Sequence, residues 1–387
     1  MNTSRIAWLL PSMGTNKRQG YPWHSVLSEL TKLFPDMTIF TGEWPGFAEG
    51  FEDSFKVQVV GKFKYIATST QKKGYSSGFS PLSPKIIGHL IELNPKVIFT
   101  SAFSLWTLCA VFLKPIFRWQ IVIVYEGSSP GVDYQNSGLR LWSRKLIANW
   151  ADAFITNNNA GKKYLTEVLG AKQERVFARP FEIATPRLLL ASYGNIPGKE
   201  LQLQRPIFIT AGQLIPRKGI NLLLKACALL QQQGISDYTL LIAGDGEQRQ
   251  ELEALSQQYQ IENCVKWLGW VEYSDLGAYF QSADVFVFPT LEDTWGLVTL
   301  EAMALGKPVI CSEHAGTSEM VVEGENGYII NPERPEELAE TMLRFIEQSD
   351  LIKNMGQKSQ QIMEPHTPKT VSKFLAETVE FVLAKKP

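Results

Sequence analysis

Short runs rich in Val, Ile and Phe alternate along the chain with longer stretches whose apolar positions recur at helical spacing. That alternation predicts an α/β protein with parallel sheets, since each run is followed by a segment long enough for a crossover helix. In the first half, strands are expected over 5–10, 38–40, 96–100, 121–125 and 153–156, with helices over 22–33 and 160–169. Residues 51–84 mix Lys, Phe, Tyr, Gly and Ser and show neither period. The second half is more regular. Strands are expected over 206–210, 239–243, 265–268, 285–289, 308–311 and 328–330, with helices over 220–233, 247–259, 274–280, 297–305 and 336–347. Residues 190–205, with Gly, Pro and polar residues, read as the linker between the two series. The expected organisation is one domain over 1–195, a second over 203–365, and a C-terminal helix within 366–387 packing back on the first. Two doubly wound, Rossmann-like domains facing each other would leave a ligand cleft between them, at the carboxyl ends of their strands.

The length of 387 residues suits two domains, and 44% apolar with 20% charged residues is globular, excluding collagen-like, coiled-coil and disordered chains. The net charge of −1 hides an asymmetry: residues 1–200 hold 23 Lys and Arg against 14 Asp and Glu, and 201–387 hold 15 against 25. A basic half is what an anionic partner needs, whether nucleic acid, phospholipid or a phosphorylated acceptor; drift of charge between solvated surfaces explains it equally. Four cysteines stand singly, with no C-x-x-C pair, which fits a reducing cytosol rather than a disulfide framework or zinc site. The start, MNTSRIAWLL, lacks the apolar stretch of a signal peptide, and the longest uncharged apolar run, 102–113, is well short of the roughly 20 residues that span a bilayer. A cytoplasmic protein is expected, at most lying on the inner face of a membrane.

Candidate chemistry gathers at the strand-to-helix turns of the second half. Ala211-Gly212-Gln213-Leu214-Ile215-Pro216-Arg217-Lys218-Gly219 combines glycines, cations and a helix start, the ingredients of a phosphate site. Gly244-Asp245-Gly246 makes a second tight turn, which packing alone would also explain. After the fourth strand, Asp293 stands in a loop and Glu301 eight residues on, inside the apolar LVTLEAMAL helix. A charged Glu there needs a partner, and a ligand hydroxyl is a reasonable one. His314-Ala315-Gly316-Thr317 supplies small residues at another helix start, with His314 readable as a solvent-exposed imidazole. A nicotinamide-dependent dehydrogenase is disfavoured, because Gly244-Asp245-Gly246 has no third glycine to complete G-x-G-x-x-G.

In this order, GQLIPRKG at 212–219, IAGDGE at 242–247, VKWLGWV at 265–271, SADVFVFPT at 282–290, EDTWGLVTLEAMALGKPVI at 292–310, AGTSEMV at 315–321 and NGYII at 326–330 resemble the retaining GT-B glycosyltransferases of the group 1 type, family 4. The resemblance covers roughly 205–345 and only the outline of the first domain. It implies the GT-B fold and transfer of a sugar, of hexosyltransferase type, from a nucleotide diphosphate to a hydroxyl, in polysaccharide or glycolipid biosynthesis. It makes Lys218 the grip on the donor diphosphate, with Arg217 sharing the charge that Gln213, in place of the usual arginine, lacks. Glu301 falls on the second acid of the E-x7-E motif and binds the ribose. Asp293, on the first acid, lies near the sugar; Asp293 and Lys218 are the candidate catalytic residues.

Gly212, Gly296, Leu297, Gly316 and Thr317 complete the expected diphosphate surroundings, Trp270 closes a strip from Trp267 where the base packs, and Gly20 ends the first-domain loop near the diphosphate. Where many members carry a histidine this chain has Tyr125-Glu126, so none is carried over; His24 is expected to be structural or acceptor-side. No Asp stands two positions from another, so a D-x-D metal pair is missing, and neither metal nor cofactor is expected. Expected partners are a nucleotide sugar, a glycan or lipid-linked acceptor and an anionic membrane surface, without nucleic acid. The membrane reading rests on Lys56, Lys62, Lys64, Lys72 and Lys73 among Phe63, Tyr65, Tyr75 and Phe79, and on Trp106, Phe112, Phe117 and Trp119 beside Lys114 and Arg118. A buried helix with a solvated lysine face reads the same residues otherwise. A non-catalytic sugar-nucleotide or lipid-binding protein on this scaffold is the alternative function.

Overall fold

The structure, a computed structural model, describes residues 4–12, 21–70, 76–184, 186–190 and 203–384. Contacts divide the chain into two compact units: the first takes in the described residues up to 182 and from 366 onward, the second those from 183 to 365.

The first unit contains β1 (Ile6–Leu9), α1 (Tyr21–Leu33), β2 (Thr38–Thr41), β3 (Lys56–Val59), β4 (Ile66–Thr70), β5 (Ser76–Phe79), α2 (Ile86–Leu93), β6 (Val97–Ser101), α3 (Leu105–Phe117), β7 (Gln120–Tyr125), α4 (Pro130–Asp133), α5 (Gly138–Trp150), β8 (Ala153–Thr156), α6 (Asn159–Lys163) and β9 (Val176–Ala178). Seven strands pair in parallel in the order β3-β2-β1-β6-β7-β8-β9, while β4 and β5 form a separate antiparallel ribbon. Helices cover both faces of such a sheet, so its strands read as unbroken apolar runs, as in IAWL of β1, where all four residues are buried.

The second unit opens with α7 (Pro186–Leu189) and β10 (Ile207–Ala211). It continues through α8 (Ile220–Gln232), β11 (Thr239–Ala243), α9 (Arg249–Gln258), β12 (Val265–Gly269), α10 (Tyr273–Ser282), β13 (Val285–Phe288), α11 (Leu297–Ala304), β14 (Val309–Ser312), β15 (Gly327–Ile330), α12 (Pro335–Glu347) and α13 (Ser349–Met363). Its six strands are parallel in the order β12-β11-β10-β13-β14-β15, the doubly wound 3-2-1-4-5-6 arrangement. The chain ends in α14 (Pro368–Ala384), which belongs to the first unit and packs on α1, where the Ser372 hydroxyl donates to the Val26 carbonyl at 3.0 Å.

The expected strands and helices are present within one or two residues of their predicted ends. The helix expected over 160–169 instead widens after α6 into a π turn, Tyr164–Val168, in which the Leu169 N–H reaches the Tyr164 carbonyl at 3.1 Å. The unassigned 51–84 region holds edge strand β3 and the β4–β5 ribbon.

The aromatic-basic reading of 105–119 is corrected. Trp106 and Trp119 are buried, their indole N–H groups donating to the carbonyls of Ser83 and Ala110 at 2.9 Å each. Phe117 stacks on Trp119, and Lys114 is paired with Asp152 at 2.6 Å, leaving Phe112 as the one exposed aromatic of the four. Lys72, Lys73 and Tyr75 lie outside the described residues.

Candidate active site

The second sheet reverses its strand order between β10 and β13, and a cavity of about 460 Å³ opens at the carboxyl ends there. Two turns floor it. The Gly212 N–H donates to the Ala243 carbonyl at 2.9 Å, and a Cβ on Gly244 (φ +148°) would lie 1.8 Å from the Gly212 oxygen, so the glycines after β10 and β11 let the two turns cross. Close packing therefore accounts for Gly244-Asp245-Gly246.

Beyond Gly212 the chain makes a short 3₁₀ turn, Pro216–Lys218, fixed against the loop after β13. The Arg217 carbonyl accepts from the Leu291 N–H at 2.7 Å and from the Thr290 hydroxyl at 2.9 Å. This backbone docking brings Lys218 and Arg217 onto Asp293. Lys218 Nζ lies 2.6 Å and Arg217 Nη1 3.0 Å from the same oxygen, Asp293 Oδ2, and Oδ1 accepts the Trp295 N–H at 3.3 Å. All three side chains are largely buried, at 13–16% exposure, so their charges are weakly screened. Burial alone would raise the Asp293 carboxyl, but Lys218 and Arg217 outweigh it and hold it below the usual range. Burial lowers the Lys218 ammonium, with Asp293 opposing. Two cations on one carboxylate leave the trio one net positive charge facing the cavity.

The opposite wall begins at α11. Gly296 (φ +94°) admits the turn because a Cβ would sit 2.6 Å from the Phe288 ring. Leu297 and Val298 line the cavity at the helix start, where backbone amides lack intrahelical acceptors and the dipole favours an anion. One turn on, Glu301 is buried and accepts from the Tyr273 hydroxyl at 2.8 Å. Burial pushes its carboxyl up to about 7, with Tyr273 opposing.

Gly212, Gln213, Arg217, Lys218, Trp270, Asp293, Gly296, Leu297 and Glu301 thus line one cavity. Gly316 and Thr317 do not line it. Their amides donate to the carbonyls of Asp293 and Trp295 at 3.1 and 2.8 Å, bracing the loop that carries Asp293. Trp267 packs against the core beneath the Arg249 guanidinium. Gly20 lies outside the described residues. His314 is exposed, and its carbonyl accepts the Asp293 N–H at 3.2 Å.

In the first unit, His24 is buried among Trp44, Phe47, Phe51 and Phe55. The Tyr125 hydroxyl donates to buried Asp133 at 2.7 Å, and Glu126 is exposed. Val271 and Leu276 also line the cavity, and neither they nor the Tyr273 partner of Glu301 were anticipated; Tyr273 stands 28 residues from the carboxylate it meets, and no local period links them. Among the described residues no cluster of three His, Cys, Asp or Glu is placed to hold a metal, and no helix is long and apolar enough to cross a membrane.

In doubly wound folds a ligand binds at such a strand-order switch, beyond the carboxyl ends of the strands. Over residues 195–362, under half the chain, the sequence matches the profile of the glycosyl transferases group 1, bearing out the resemblance read from the motifs. An uncharacterized glycosyltransferase of Methanocaldococcus jannaschii is 34% identical over 139 residues, which are 36% of this chain and 35% of that protein. A putative colanic acid biosynthesis glycosyltransferase, WcaL, of Salmonella typhimurium is 30% identical over 155 residues, 38% of this chain and 37% of that one. The matched segment thus spans about a third of each relative. Among solved structures, Anabaena HepE in complex with UDP superposes with a TM-score of 0.75 at 20% identity, over 97% of this chain and 99% of that one. The sucrose-phosphate synthase of Thermosynechococcus elongatus gives 0.73 at 19%, over 98% and 99%. These likenesses show the fold, and the chain has the expected GT-B architecture of two Rossmann-like domains.

Proposed function

We propose that this protein transfers a sugar from a nucleotide-diphosphate donor to a hydroxyl acceptor, with retention at the anomeric carbon and without a metal ion, in polysaccharide or glycolipid assembly. The observation that carries this reading is the convergence of Lys218, Arg217, the start of α11 and Glu301 on one cavity. The bound UDP of the HepE structures supports a nucleotide donor, the names of the relatives support sugar transfer, and retention rests on the family resemblance.

In this reading the diphosphate lies between Lys218, Arg217 and the amides of Leu297 and Val298. As the anomeric carbon–oxygen bond breaks, the growing negative charge meets donors already in place, which lowers the barrier without reorganisation. Glu301 accepts from the ribose hydroxyls, Trp270 packs the base, and Asp293 orients sugar hydroxyls. The acceptor oxygen attacks from the face the phosphate leaves, and the departing phosphate oxygen takes its proton. The acceptor is a glycan or a lipid-linked glycan, and the site of action is the inner face of a membrane.

The test is a thermal-shift screen of UDP-, GDP- and ADP-sugars, followed by assay of nucleotide diphosphate release with acceptor extract, with and without EDTA. One donor is expected to raise Tm by mass action, and release is expected to continue in EDTA. Complete loss in EDTA, restored only by Mg²⁺ or Mn²⁺, overturns the metal-free mechanism; a Tm shift without release under any condition leaves a binding protein.

The Glu301 carboxyl adds a pH dependence. A carboxylate accepts two ribose O–H groups whereas a carboxylic acid must donate one, so binding requires ionisation. With the carboxyl near 7, affinity for the UDP-sugar should tighten about tenfold from pH 6 to 8. Raised above its unfolded value, this group stabilises the free protein fully below about pH 4.5, and the contribution is lost as pH rises through 7. Glu301→Gln should bind more weakly and show a flat profile in titration calorimetry; an unchanged slope removes Glu301 from the ribose site.

A further inference from the structure

The acid proposed for the ribose is held by a second side chain. Glu301 is 4% exposed, so a carboxylate there depends for its orientation on what it meets inside the protein. What it meets is Tyr273, whose hydroxyl donates to Oε1 at 2.8 Å. The tyrosine does not line the cavity, whereas Trp270, Val271 and Leu276 on either side of it in the chain do. A nucleotide in the cavity would therefore feel Tyr273 through the carboxylate it holds, not by touching it.

The segment keeps that hydroxyl in place. Tyr273 is the first residue of α10, whose opening turn is closed by the Asp275 and Leu276 N–H groups on the Glu272 carbonyl at 2.9 and 3.0 Å. Further along, a Cβ at Gly277 would lie 2.0 Å from the Leu189 carbonyl oxygen, so α10 is seated directly on α7, and it packs on β10 as well. A tyrosine on such a helix has fewer side-chain torsions to fix than the glutamate it holds. A free glutamate would surrender that freedom when a nucleotide binds, and one already held has less to lose. A donor aimed at a carboxylate also favours its ionised form. Tyr273 stays protonated to serve as that donor, since burial first and then the Glu301 charge push its hydroxyl well above the usual value.

Other titratable groups around α11 are neutral, engaged or solvated. Burial pushes the Cys311 thiol on β14 up to about 12, Asp293 is tied to Lys218 and Arg217, and Lys358 on α13 pairs with Glu325 at 2.8 Å. Glu319, Asp350 and Lys353 are exposed.

We propose that Tyr273 is a positioning residue for nucleotide recognition: its hydroxyl holds the Glu301 carboxylate turned to accept the ribose hydroxyls, beside the Trp270 that packs the base. This role rests on the proposed donor site and adds to it a residue outside the cavity. Ribose contacts made equally in the ground state and the transition state contribute to binding alone, so the tyrosine acts on donor affinity and leaves the chemical step unchanged.

The experiment is titration calorimetry from pH 6 to 8.5. UDP-glucose, GDP-mannose and ADP-glucose are titrated into the wild type, and whichever binds is titrated into Tyr273→Phe, Glu301→Ala and the double variant. Tyr273→Phe removes one oxygen and keeps the ring. Its affinity should be about tenfold weaker than the wild type's at pH 6 and within about threefold at pH 8.5, the midpoint of the profile moving about one unit alkaline. In the Glu301→Ala background the same change should cost at most about twofold, because the cycle isolates what the tyrosine does through the acid. Nucleotide diphosphate release with acceptor extract should show a raised KM for donor and a kcat within about twofold of wild type. An unshifted midpoint overturns the positioning role and leaves Tyr273 a packing residue. An equal loss with and without Glu301 overturns it too, by making Tyr273 a direct nucleotide contact. Failure of the wild type to bind any of the three donors is a different result, which overturns the proposed donor site itself.

Discussion

Alanine at Lys218 is expected to slow sugar transfer by about 10²–10³-fold, the range for removal of one preorganised electrostatic donor. The ammonium is largely buried and lies 2.6 Å from Asp293, so it is fixed before a donor arrives and bears on charge that grows only as the bond breaks. Arg217, 3.0 Å from the same oxygen, remains in the mutant and limits the loss. It also keeps Asp293 partnered, so the fold should survive with a modest fall in Tm. UDP affinity should weaken, because the Lys218–Arg217–Asp293 trio loses its net positive charge. Steady-state kinetics with a circular-dichroism melt on the same preparation decide the matter: full activity in a folded mutant removes Lys218 from the diphosphate site.

How far this site was legible in the sequence depends on whether each signal is local. The strands of the second unit are apolar runs ending in glycine turns, and each catalytic candidate lies within a few residues of such an end, so period and punctuation located both. That Lys218 and Asp293 would neutralise each other was not visible. They are 75 positions apart, and their meeting depends on the Arg217 carbonyl docking onto the 290–291 backbone. The same distance in sequence hid Tyr273 from Glu301. Gly316 and Thr317 matched a phosphate pattern by composition, but the loop that positions Asp293 needs their amides.

In the first unit, residues 105–119 read as aromatic and basic together. Which aromatics face outward is set by the neighbours of the helix, however, and Trp106 and Trp119 turned inward to the carbonyls of Ser83 and Ala110.

Asparagine at Asp293 should act in the opposite direction to alanine at Lys218 in binding, although both abolish efficient transfer. The amide preserves the shape but removes the carboxylate charge that Lys218 and Arg217 share. Two cations of low exposure then repel each other, and breaking such a pair costs about 3 kcal/mol. The sign in pH follows from the depressed carboxyl: its stabilisation is present above the unfolded value near 3.9 and is lost as pH falls through the lower folded value. Wild type and mutant should therefore differ fully at pH 7 and converge in acid. A nucleotide diphosphate supplies the missing countercharge, so UDP should raise the mutant's Tm more than the wild type's and bind at least as tightly. Transfer should nevertheless fall by about 10²-fold or more, since the sugar loses an orienting acceptor and pays for a looser geometry. Melts from pH 3 to 8 with and without UDP, together with a rate at saturating donor, test each step. A mutant as stable as the wild type, binding UDP more weakly, shows that Asp293 is not the counter-ion standing where phosphate will bind.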